Sequence, residues 1–158
     1  MSFATCDLYD DHGDAARVIG WPFRDFGGCT SFAGEVETVK CFEDNSRIRE
    51  LASTPGLGRV LVVDGGGSRR AALVGDMIAG QAIASGWAGL VIYGSVRDCA
   101  VLRTLDIGIK AIGTTPRKSV RAGEGAVGIP LEIAGIVVRP GDRLYADEDG
   151  ILILAPSK

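Results

Sequence analysis

The chain has 158 residues, of which 46% are hydrophobic and 23% charged, and its formal net charge is −3. This length fits one ordinary domain with its own core, and the composition is that of a globular protein. The acidic balance, without any block of five basic residues, argues against direct nucleic-acid binding. The longest apolar stretch, Trp87 to Tyr93, is far shorter than the ~20 residues of a membrane span. Because the N-terminus turns acidic at once and has no apolar signal segment, we expect a cytoplasmic protein.

Cysteine and histidine offer few catalytic options. The four cysteines include no C-x-x-C pair, and His12 is the single histidine, so a zinc site is not expected. We interpret the cysteines as reduced thiols that act as small buried hydrophobic residues. His12 lies in an acidic stretch that is a poor place for a buried base, so Ser-His-Asp or Cys-His catalysis is not expected.

The first third of the chain predicts two short helices on either side of β-favouring segments. The first helix covers residues 5–11, with Thr5 as its N-cap. β-favouring residues follow, notably at 35–42. Asn45 then caps a second helix that extends through Ser53.

Strands and helices alternate through the middle of the chain. The apolar runs 60–64, 90–94 and 109–113 predict three buried strands. A helix from Arg69 to about Ser85 is expected between the first two, and a turn with a short helix between the second and third. This alternation indicates parallel βαβ units and an α/β fold.

The final third, after Thr114, predicts antiparallel β-structure. Pro140–Gly141 favours a turn, and Asp149–Gly150 favours a hairpin. The chain contains no internal repeat, linker or low-complexity run, so residues 1–158 are interpreted as a single domain.

Glycine is the unusual residue in this composition. Its 23 positions are about 15% of the chain, against a usual ~7%. The DGGGS loop at 64–68 superficially suggests a nucleotide or S-adenosylmethionine site, because it follows a strand. However, the loop lacks G-x-G-x-x-G spacing, and the strand that follows does not end in a carboxylate. A tight turn is the favoured interpretation, although the role of Gly65, Gly66 and Gly67 stays open.

A second helix start is indicated inside the 69–85 segment. Asp76 is an N-cap candidate, which would leave the N–H groups of Met77, Ile78 and Ala79 unpaired. Such a helix terminus can bind a carboxylate or phosphate group. Gly75, immediately before it, would let a substrate carboxylate come close to the backbone.

Arg97 and Asp98 follow the 90–94 strand, with twenty residues between Asp76 and this pair. Ligands of open α/β sheets gather at the carboxyl ends of strands. Two carboxylates and an arginine there suit a hard divalent cation, Mg²⁺ or Mn²⁺, with an anionic substrate. The spacing alone is a weak indication, because a second Arg-Asp pair occurs at Arg24–Asp25. A plain helix cap and a plain turn are the competing interpretations.

Five segments in order carry a resemblance over roughly Thr5 to Leu154: FGGCTSFAGEVETVKCFEDN, VLVVDGGGS, GWAGLVIYGSVRD, LDIGIKAIGTTPRKS and PGDRLYADEDGI. They closely resemble the family of the regulator of ribonuclease activity A (RraA), which includes 4-hydroxy-4-methyl-2-oxoglutarate aldolases. The DGGGS loop explains why this family was formerly mistaken for a menaquinone methyltransferase. The resemblance implies a β/β/α core like that of swivelling phosphohistidine domains. It also implies a ring-shaped homotrimer with active sites between subunits.

The resemblance also implies roles for individual residues. Asp98 would ligate a divalent metal directly, and Asp76 would hold metal-bound water. Arg97 would bind the substrate, whose carboxylate would be taken by backbone N–H groups of residues 75–78. Family members that act only as regulators lack the equivalents of Asp76 and Asp98, and this chain has both.

The activity implied by the resemblance is that of a class II, metal-dependent aldolase. It would cleave 4-hydroxy-4-methyl-2-oxoglutarate, or 4-carboxy-4-hydroxy-2-oxoadipate, to pyruvate and a second keto acid. Decarboxylation of oxaloacetate would be a side reaction, because it gives the same enolate. A Schiff-base mechanism is a competitor, but none of Lys40, Lys110 and Lys118 is expected within the site. The alternative function is a non-catalytic regulator that binds and inhibits ribonuclease E.

Overall fold

A curled, mixed β-sheet forms the body of the protein in the computed structural model, which describes residues 2–157. Four helices accompany it: α1 (Thr5–His12), α2 (Ser46–Ala52), α3 (Asp76–Ala84) and α4 (Cys99–Leu102). A single 3-10 turn covers Gly13–Ala15. Across residues 2–157, no helix has the length and apolar character needed to cross a membrane.

Ten strands join in the main sheet, and two more form a separate hairpin. The main path runs β1-β12-β11-β3-β4-β6-β7-β2, with β5 paired to β6 and β8 paired to β3. The bounds are β1 (Arg17–Ile19), β2 (Arg24–Asp25), β3 (Phe32–Lys40), β4 (Val60–Asp64), β5 (Ala72–Val74), β6 (Gly89–Val96), β7 (Gly108–Thr114), β8 (Ala126–Val127), β9 (Leu131–Ile133), β10 (Ile136–Val138), β11 (Arg143–Asp147) and β12 (Gly150–Leu154).

The centre of the sheet is parallel and buried on both faces. Strands β3, β4, β6 and β7 pair in parallel, which confirms the three apolar strands and the βαβ pattern. Along β4, Leu61 and Val63 pack with α2 and α3, and Val60 and Val62 pack with the antiparallel hairpins. Each of these four residues is at most 1% exposed. A strand covered on both faces favours a continuous apolar run over alternation, as this sequence shows.

The final third is antiparallel, as predicted. β9 pairs with β10, and β11 pairs with β12 across the two-residue turn Glu148–Asp149. These hairpins cover the sheet face opposite α2 and α3. The observed architecture is therefore a mixed α/β fold with few helices. The likeness to swivelling phosphohistidine domains stays a prediction.

The helix predicted from Arg69 to Ser85 is wrong in its first part. Residues 72–74 form β5, and α3 begins only at Asp76. The backbone of Ala72 bonds to the loop after β7: its N–H donates to the Arg117 carbonyl, and its carbonyl accepts from Ser119 N–H. Long-range pairing thus outweighs the local helix pattern. The separate prediction of a helix start at residues 75–78 is confirmed.

Both predicted helix caps need correction. Thr5 is the first residue of α1, and it donates from its backbone N–H and its hydroxyl to Asp147, at 2.8 and 2.7 Å. Asn45 occupies the N-cap position of α2, but its side-chain amide donates to the Leu73 carbonyl instead. Asp44 performs the capping, since its Oδ1 accepts from the backbone N–H of Ser46 at 2.9 Å. The Asp44 carboxylate therefore takes the capping role that was predicted for the Asn45 amide.

The cysteines are free thiols with different surroundings. Only Cys41 is buried, and burial raises its pKa to about 12. A hydrogen bond to Asp106 raises the pKa of the partly buried Cys29 to about 11. Cys6 is exposed, so the prediction that the cysteines serve as buried hydrophobic residues is wrong for this position. The raised pKa values disfavour the reactive thiolate at Cys29 and Cys41.

Candidate functional site

A pocket of about 440 Å³ opens at the carboxyl ends of β5 and β6. Strand β5 leads into the start of α3, and β6 leads into the turn before α4. Because β5 and β6 are parallel neighbours, both connections reach the same edge of the sheet. The pocket brings together all six residues singled out from the sequence: Gly75, Asp76, Met77, Ile78, Arg97 and Asp98.

Asp98 is held in an unusual backbone conformation beside α3. Its φ of 60° lies in the left-handed region, which costs energy for most residues but is tolerated by aspartate. Its Oδ2 accepts a hydrogen bond from the Asp76 backbone N–H at 3.0 Å. Its carbonyl accepts from the N–H groups of Val101 and Leu102, which fixes the start of α4. The Asp98 carboxylate is therefore tied to the first residue of α3 while remaining exposed.

Gly75 provides the space that this arrangement requires. A Cβ atom at this position would lie 2.6 Å from Asp98 Oδ2 and 3.3 Å from Arg97 Cγ. Both distances are too short for an unstrained side chain. Two side chains of the same chain use this room, and the expected role of Gly75, room for a substrate carboxylate, stays a prediction.

The start of α3 offers fewer free donors than the sequence suggested. Gly75, rather than Asp76, is the N-cap residue, and its carbonyl accepts from Ala79 N–H at 3.1 Å. Asp76 N–H is bonded to Asp98. Within residues 2–157, the N–H groups of Met77 and Ile78 have no hydrogen-bond partner. These two donors are the part of the helix terminus that can bind an anion.

Arg97 presents a guanidinium group to the same pocket. Its backbone N–H donates to the Val74 carbonyl at 3.0 Å, which places it next to Gly75. Its Nη1 lies 3.4 Å from the Pro116 carbonyl, a long hydrogen bond. In the described part of the chain, Arg97 takes part in no ion pair. Its charge is thus available to a carboxylate or an enolate.

Two basic residues of the pocket were not predicted. Lys118 and Arg121 line it from the loop after β7, so the expectation that no candidate lysine lies within the site is wrong for Lys118. The other two lysines lie elsewhere, and Lys110 is buried in an ion pair with Asp25. The signal that could have revealed this wall is the basic segment PRKSVR, at 116–121, in an otherwise acidic chain.

The oxygen donors of the pocket suit a divalent cation with few protein ligands. The described residues contain no group of three or more His, Cys, Asp and Glu side chains that could hold a metal. Asp76 and Asp98 each contribute one carboxylate to the pocket, and neither forms an ion pair within residues 2–157. Mg²⁺ commonly uses one or two carboxylates, with water and substrate oxygens in its other positions. The two aspartates therefore fit Mg²⁺ or Mn²⁺ and not a closed zinc site.

The DGGGS loop does not present a free set of backbone donors. Gly65 and Gly67 donate from their N–H groups to the Tyr93 carbonyl, and Gly66 N–H donates to Asp64 Oδ1 at 2.9 Å. Both Gly66 and Gly67 have positive φ, near 70°. This is a tight turn whose donors serve the protein itself, so a phosphate or methyl-donor cradle is not supported at this loop.

Comparison with known proteins gives a consistent family. The model of the RraA-like family, described as Aldolase/RraA, matches residues 5–153. A protein of Alkalilimnicola ehrlichii is 56% identical, with 97% of this chain and 95% of the relative covered. A protein of Alcanivorax borkumensis is 52% identical, with 96% of each chain covered. Both carry the provisional name 4-hydroxy-4-methyl-2-oxoglutarate aldolase.

Solved structures show the same fold. The RNA-processing inhibitor RraA from Thermus thermophilus superposes with a TM-score of 0.96 at 44% identity, covering 100% of this chain and 96% of the other. A Geobacillus kaustophilus protein described as an S-adenosylmethionine:2-dimethylmenaquinone methyltransferase gives a TM-score of 0.95, also at 44% identity, and covers 98% and 96%. Streptomyces coelicolor RraAS2 gives 0.75 at 25% identity, covering 96% and 79%.

Proposed function

The chain belongs to the RraA-like family, and on that premise we propose that it is a class II aldolase for 4-hydroxy-2-oxo acids. Its substrates are 4-hydroxy-4-methyl-2-oxoglutarate and 4-carboxy-4-hydroxy-2-oxoadipate, with oxaloacetate decarboxylation as a side activity. The names of the 52–56% identical relatives support a lyase. One observation carries the proposal: Asp76, Arg97 and Asp98 line a single pocket beside a helix terminus with unpaired donors.

The substrate head group matches the donors of the pocket. The N–H groups of Met77 and Ile78 bind the C1 carboxylate, as helix termini bind anions. Arg97 interacts with the C2 oxygen, where negative charge develops as the C3–C4 bond breaks. Since Arg97 has no ion-pair partner within residues 2–157, this contact breaks no ion pair and competes only with the long hydrogen bond to the Pro116 carbonyl.

Proton transfer completes the reaction. The Asp76 carboxylate, which is exposed in the pocket, accepts the proton of the 4-hydroxyl group through a water molecule. Loss of that proton lets the electrons of the C3–C4 bond form pyruvate enolate and leaves the second keto acid. Protonation of the enolate at C3 then gives pyruvate. Asp98 would ligate a divalent cation, Mg²⁺ or Mn²⁺, directly and Asp76 would hold it through water; the bound cation would supply Lewis-acid polarisation of the 2-keto group.

A pyruvate-release assay tests this proposal. The protein is incubated with 4-hydroxy-4-methyl-2-oxoglutarate or oxaloacetate and Mg²⁺, and pyruvate is coupled to lactate dehydrogenase. We expect release above the rate with Mg²⁺ alone, loss of that release with EDTA, and loss in Asp98→Ala. Full activity in the presence of EDTA, or in Asp98→Ala, would sink the proposal.

Lys118 makes a Schiff-base mechanism testable as well, since it lines the pocket. A Schiff-base lysine is typically desolvated in a hydrophobic pocket, and Lys118 is exposed. We therefore expect no covalent adduct after incubation with pyruvate and sodium borohydride, measured by intact-protein mass spectrometry. An adduct that disappears in Lys118→Gln would overturn the class II assignment.

A second candidate function, inhibition of a ribonuclease of the E type, is favoured by the comparison structures. The Thermus protein, which is 44% identical, is described as an RNA-processing inhibitor. The expected target is the ribonuclease itself and not its RNA substrate, because the net charge of −3 disfavours direct RNA binding. A pull-down with the C-terminal half of ribonuclease E tests this function, and absence of binding would count against it.

Assembly into a homotrimer with sites between subunits is part of the proposal. Met77 and Val120 line the pocket although they are 81% and 63% exposed, so a neighbouring subunit would cover apolar surface beside the site. Light scattering after size-exclusion chromatography measures the mass in solution. We expect three times the mass of the chain, and a monomer would contradict this part.

A further inference from the structure

We propose that Lys118 and Arg121 form a second anion subsite, which selects 2-oxo acids that carry a distal carboxylate. The inference rests on the proposed function, because it concerns the far end of the same pocket. It assigns substrate selection to the loop after β7, whose residues 117–122 we name the basic strap. Head-group chemistry stays with Asp76, Arg97 and Asp98.

The basic strap runs along one wall of the pocket. Lys118, Ser119 and Arg121 line it together with the start of α3. Arg121 also borders an adjoining groove of about 380 Å³, which continues along α2 and α3. The pocket is therefore longer than a pyruvyl unit needs, and its extension begins at a cationic side chain.

Two cationic side chains of the strap form few bonds to the rest of the protein. Neither Lys118 nor Arg121 forms an ion pair within residues 2–157. Other arginines of the chain are paired, for example Arg70 with Glu43 at 2.7 Å. Among the described residues, the Arg121 side chain forms one long hydrogen bond, from Nε to Asn45 Oδ1 at 3.4 Å. Both cations are thus available to an anion from outside.

An unpaired polar group lies behind the two cations. Ser119 lies between the two cations in sequence, lines the pocket and is 7% exposed. Its hydroxyl oxygen is buried and has no hydrogen-bond partner among the described residues. Buried hydroxyl groups normally have a partner, because leaving one unpaired is costly. This hydroxyl group lies beneath the pocket surface, and the groups that can reach a ligand are the exposed side chains of Lys118 and Arg121.

The strap is fixed to the rest of the fold. Asp44 Oδ2 accepts from the backbone N–H groups of Ala122 and Glu124, at 2.8 and 3.2 Å. The backbones of Val120 and Ala72 add further bonds on either side. Anchoring of this kind reduces the conformational entropy that ligand binding would otherwise cost. Asp44 is in this sense a positioning residue for Arg121.

Charge balance favours a substrate with more than one carboxylate. Arg97, Lys118 and Arg121 are cationic, whereas Asp76 and Asp98 are the two carboxylates of the pocket. A bound divalent cation would make the pocket strongly positive. A 2-oxo monocarboxylate would leave Lys118 and Arg121 unmatched, and a distal carboxylate would match them.

A matched pair of uncleaved ligands tests this inference by calorimetry at saturating Mg²⁺. The two ligands, 2-oxoglutarate and 2-oxovalerate, have the same chain length and differ in a terminal carboxylate against a methyl group. We expect the native protein to bind 2-oxoglutarate more tightly. Lys118→Gln and Arg121→Gln should each reduce this preference about fivefold, since exposed charge pairs are weak, and the double variant about tenfold or more. Binding of 2-oxovalerate should stay within about twofold.

Arg103→Gln is the control, because it removes one exposed positive charge outside the pocket. It should leave the preference unchanged. An unchanged preference in the double variant, or equal loss in Arg103→Gln, would overturn the inference. The result is separable from the aldolase proposal: a lost preference without any pyruvate release would uphold the subsite and reject the reaction. Pyruvate release with an unaffected preference would do the opposite.

Discussion

The chain contains two Arg-Asp pairs that look alike in sequence and differ in structure. Arg24–Asp25 forms β2 at the sheet edge, where Asp25 lies opposite Lys110 of β7. Asp25 Oδ1 is 3.1 Å from Lys110 Nζ, an ion-pair distance, although the angle does not meet hydrogen-bond geometry. Arg24 lies 5.0 Å from the centre of the Phe26 ring. Asp25 is therefore paired with a buried lysine, and the exposed Arg24 contacts an aromatic ring.

Arg97–Asp98 follows a parallel strand at its carboxyl end. Both side chains reach a pocket, and within residues 2–157 neither forms an ion pair. The difference lies in the connection and not in the dipeptide: one pair is within a strand, and the other is in a turn between a parallel strand and a helix. Position at a strand end thus separates a candidate catalytic pair from a structural one.

Activity should show the largest contrast between the two pairs. We expect Arg97→Ala and Asp98→Asn to lower kcat/KM for oxaloacetate by about 10²–10³-fold, the range for removal of one group that stabilises charge in the transition state. Arg24→Ala and Asp25→Asn should stay within about twofold per folded molecule. Equal losses in both pairs would remove the distinction.

Stability should show the reverse contrast. Lys110 is 3% exposed, so Asp25→Asn removes the ion-pair partner of a buried charge and leaves it the Asp147 carbonyl as an acceptor. We expect a loss of about 3 kcal/mol in the free energy of unfolding. Asp98→Asn should cost no more than about 1 kcal/mol, since asparagine tolerates the left-handed conformation. Urea denaturation measures both values, and a greater loss in Asp98→Asn would reverse the assignment.

Asp44 extends the comparison to a third carboxylate. Burial would raise its pKa, but hydrogen bonds from Ser46, Ala122 and Glu124 outweigh burial and lower it to about 2. A carboxyl group with a lowered pKa stabilises the fold above its unfolded pKa, and the contribution disappears as pH falls from about 4 to about 2. The contribution near neutral pH is about 2 kcal/mol.

The contribution of the Asp44 charge can be isolated by comparing the stability of the native protein and Asp44→Asn as a function of pH. The free energy of unfolding of the native protein should exceed that of Asp44→Asn by about 2 kcal/mol at pH 7. The gap should shrink toward pH 2, because the native carboxyl group is then protonated. A gap that stays constant between pH 7 and pH 2 would show that the hydrogen bonds do not depend on the charge.

Two glycines of the α3 region give the smallest expected effects. Gly75→Ala places a Cβ against Asp98 Oδ2, so we expect kcat/KM to fall about tenfold as the carboxylate is displaced. Gly80 lies within α3, and a Cβ there meets no atom within 4 Å. Gly80→Ala should leave activity unchanged and stabilise the protein by about 1 kcal/mol. Undiminished activity in Gly75→Ala would show that Asp98 tolerates the displacement.

The fold was predictable where local pattern and burial agree. The apolar runs at 60–64 and 90–94 were recognisable as strands, because a strand covered on both sheet faces is apolar throughout. The strand at residues 72–74 was missed, because its pairing partners lie more than twenty residues away. The choice of Asp44 over Asn45 as the cap depends on a loop near residue 122 that no local pattern reveals. Long-range hydrogen bonds decide such cases.

The candidate site was predictable only in part. Spacing and family resemblance identified Asp76, Arg97 and Asp98, and the structure places them in one pocket. Lys118 and Arg121 were missed because the loop that carries them crosses to the pocket only in three dimensions. The sequence shows that this segment is basic, but it does not show which surface of the fold the segment faces.

Exchange of the C3 protons of pyruvate in D₂O, followed by proton NMR, tests the central claim most directly, because it monitors the enolate step alone. With Mg²⁺, the native protein and Asp25→Asn should accelerate the exchange above the protein-free rate. EDTA or Asp98→Asn should return it to that rate. Exchange that persists with EDTA, or that is equal in Asp98→Asn and the native protein, would contradict a metal-dependent site at the end of β6.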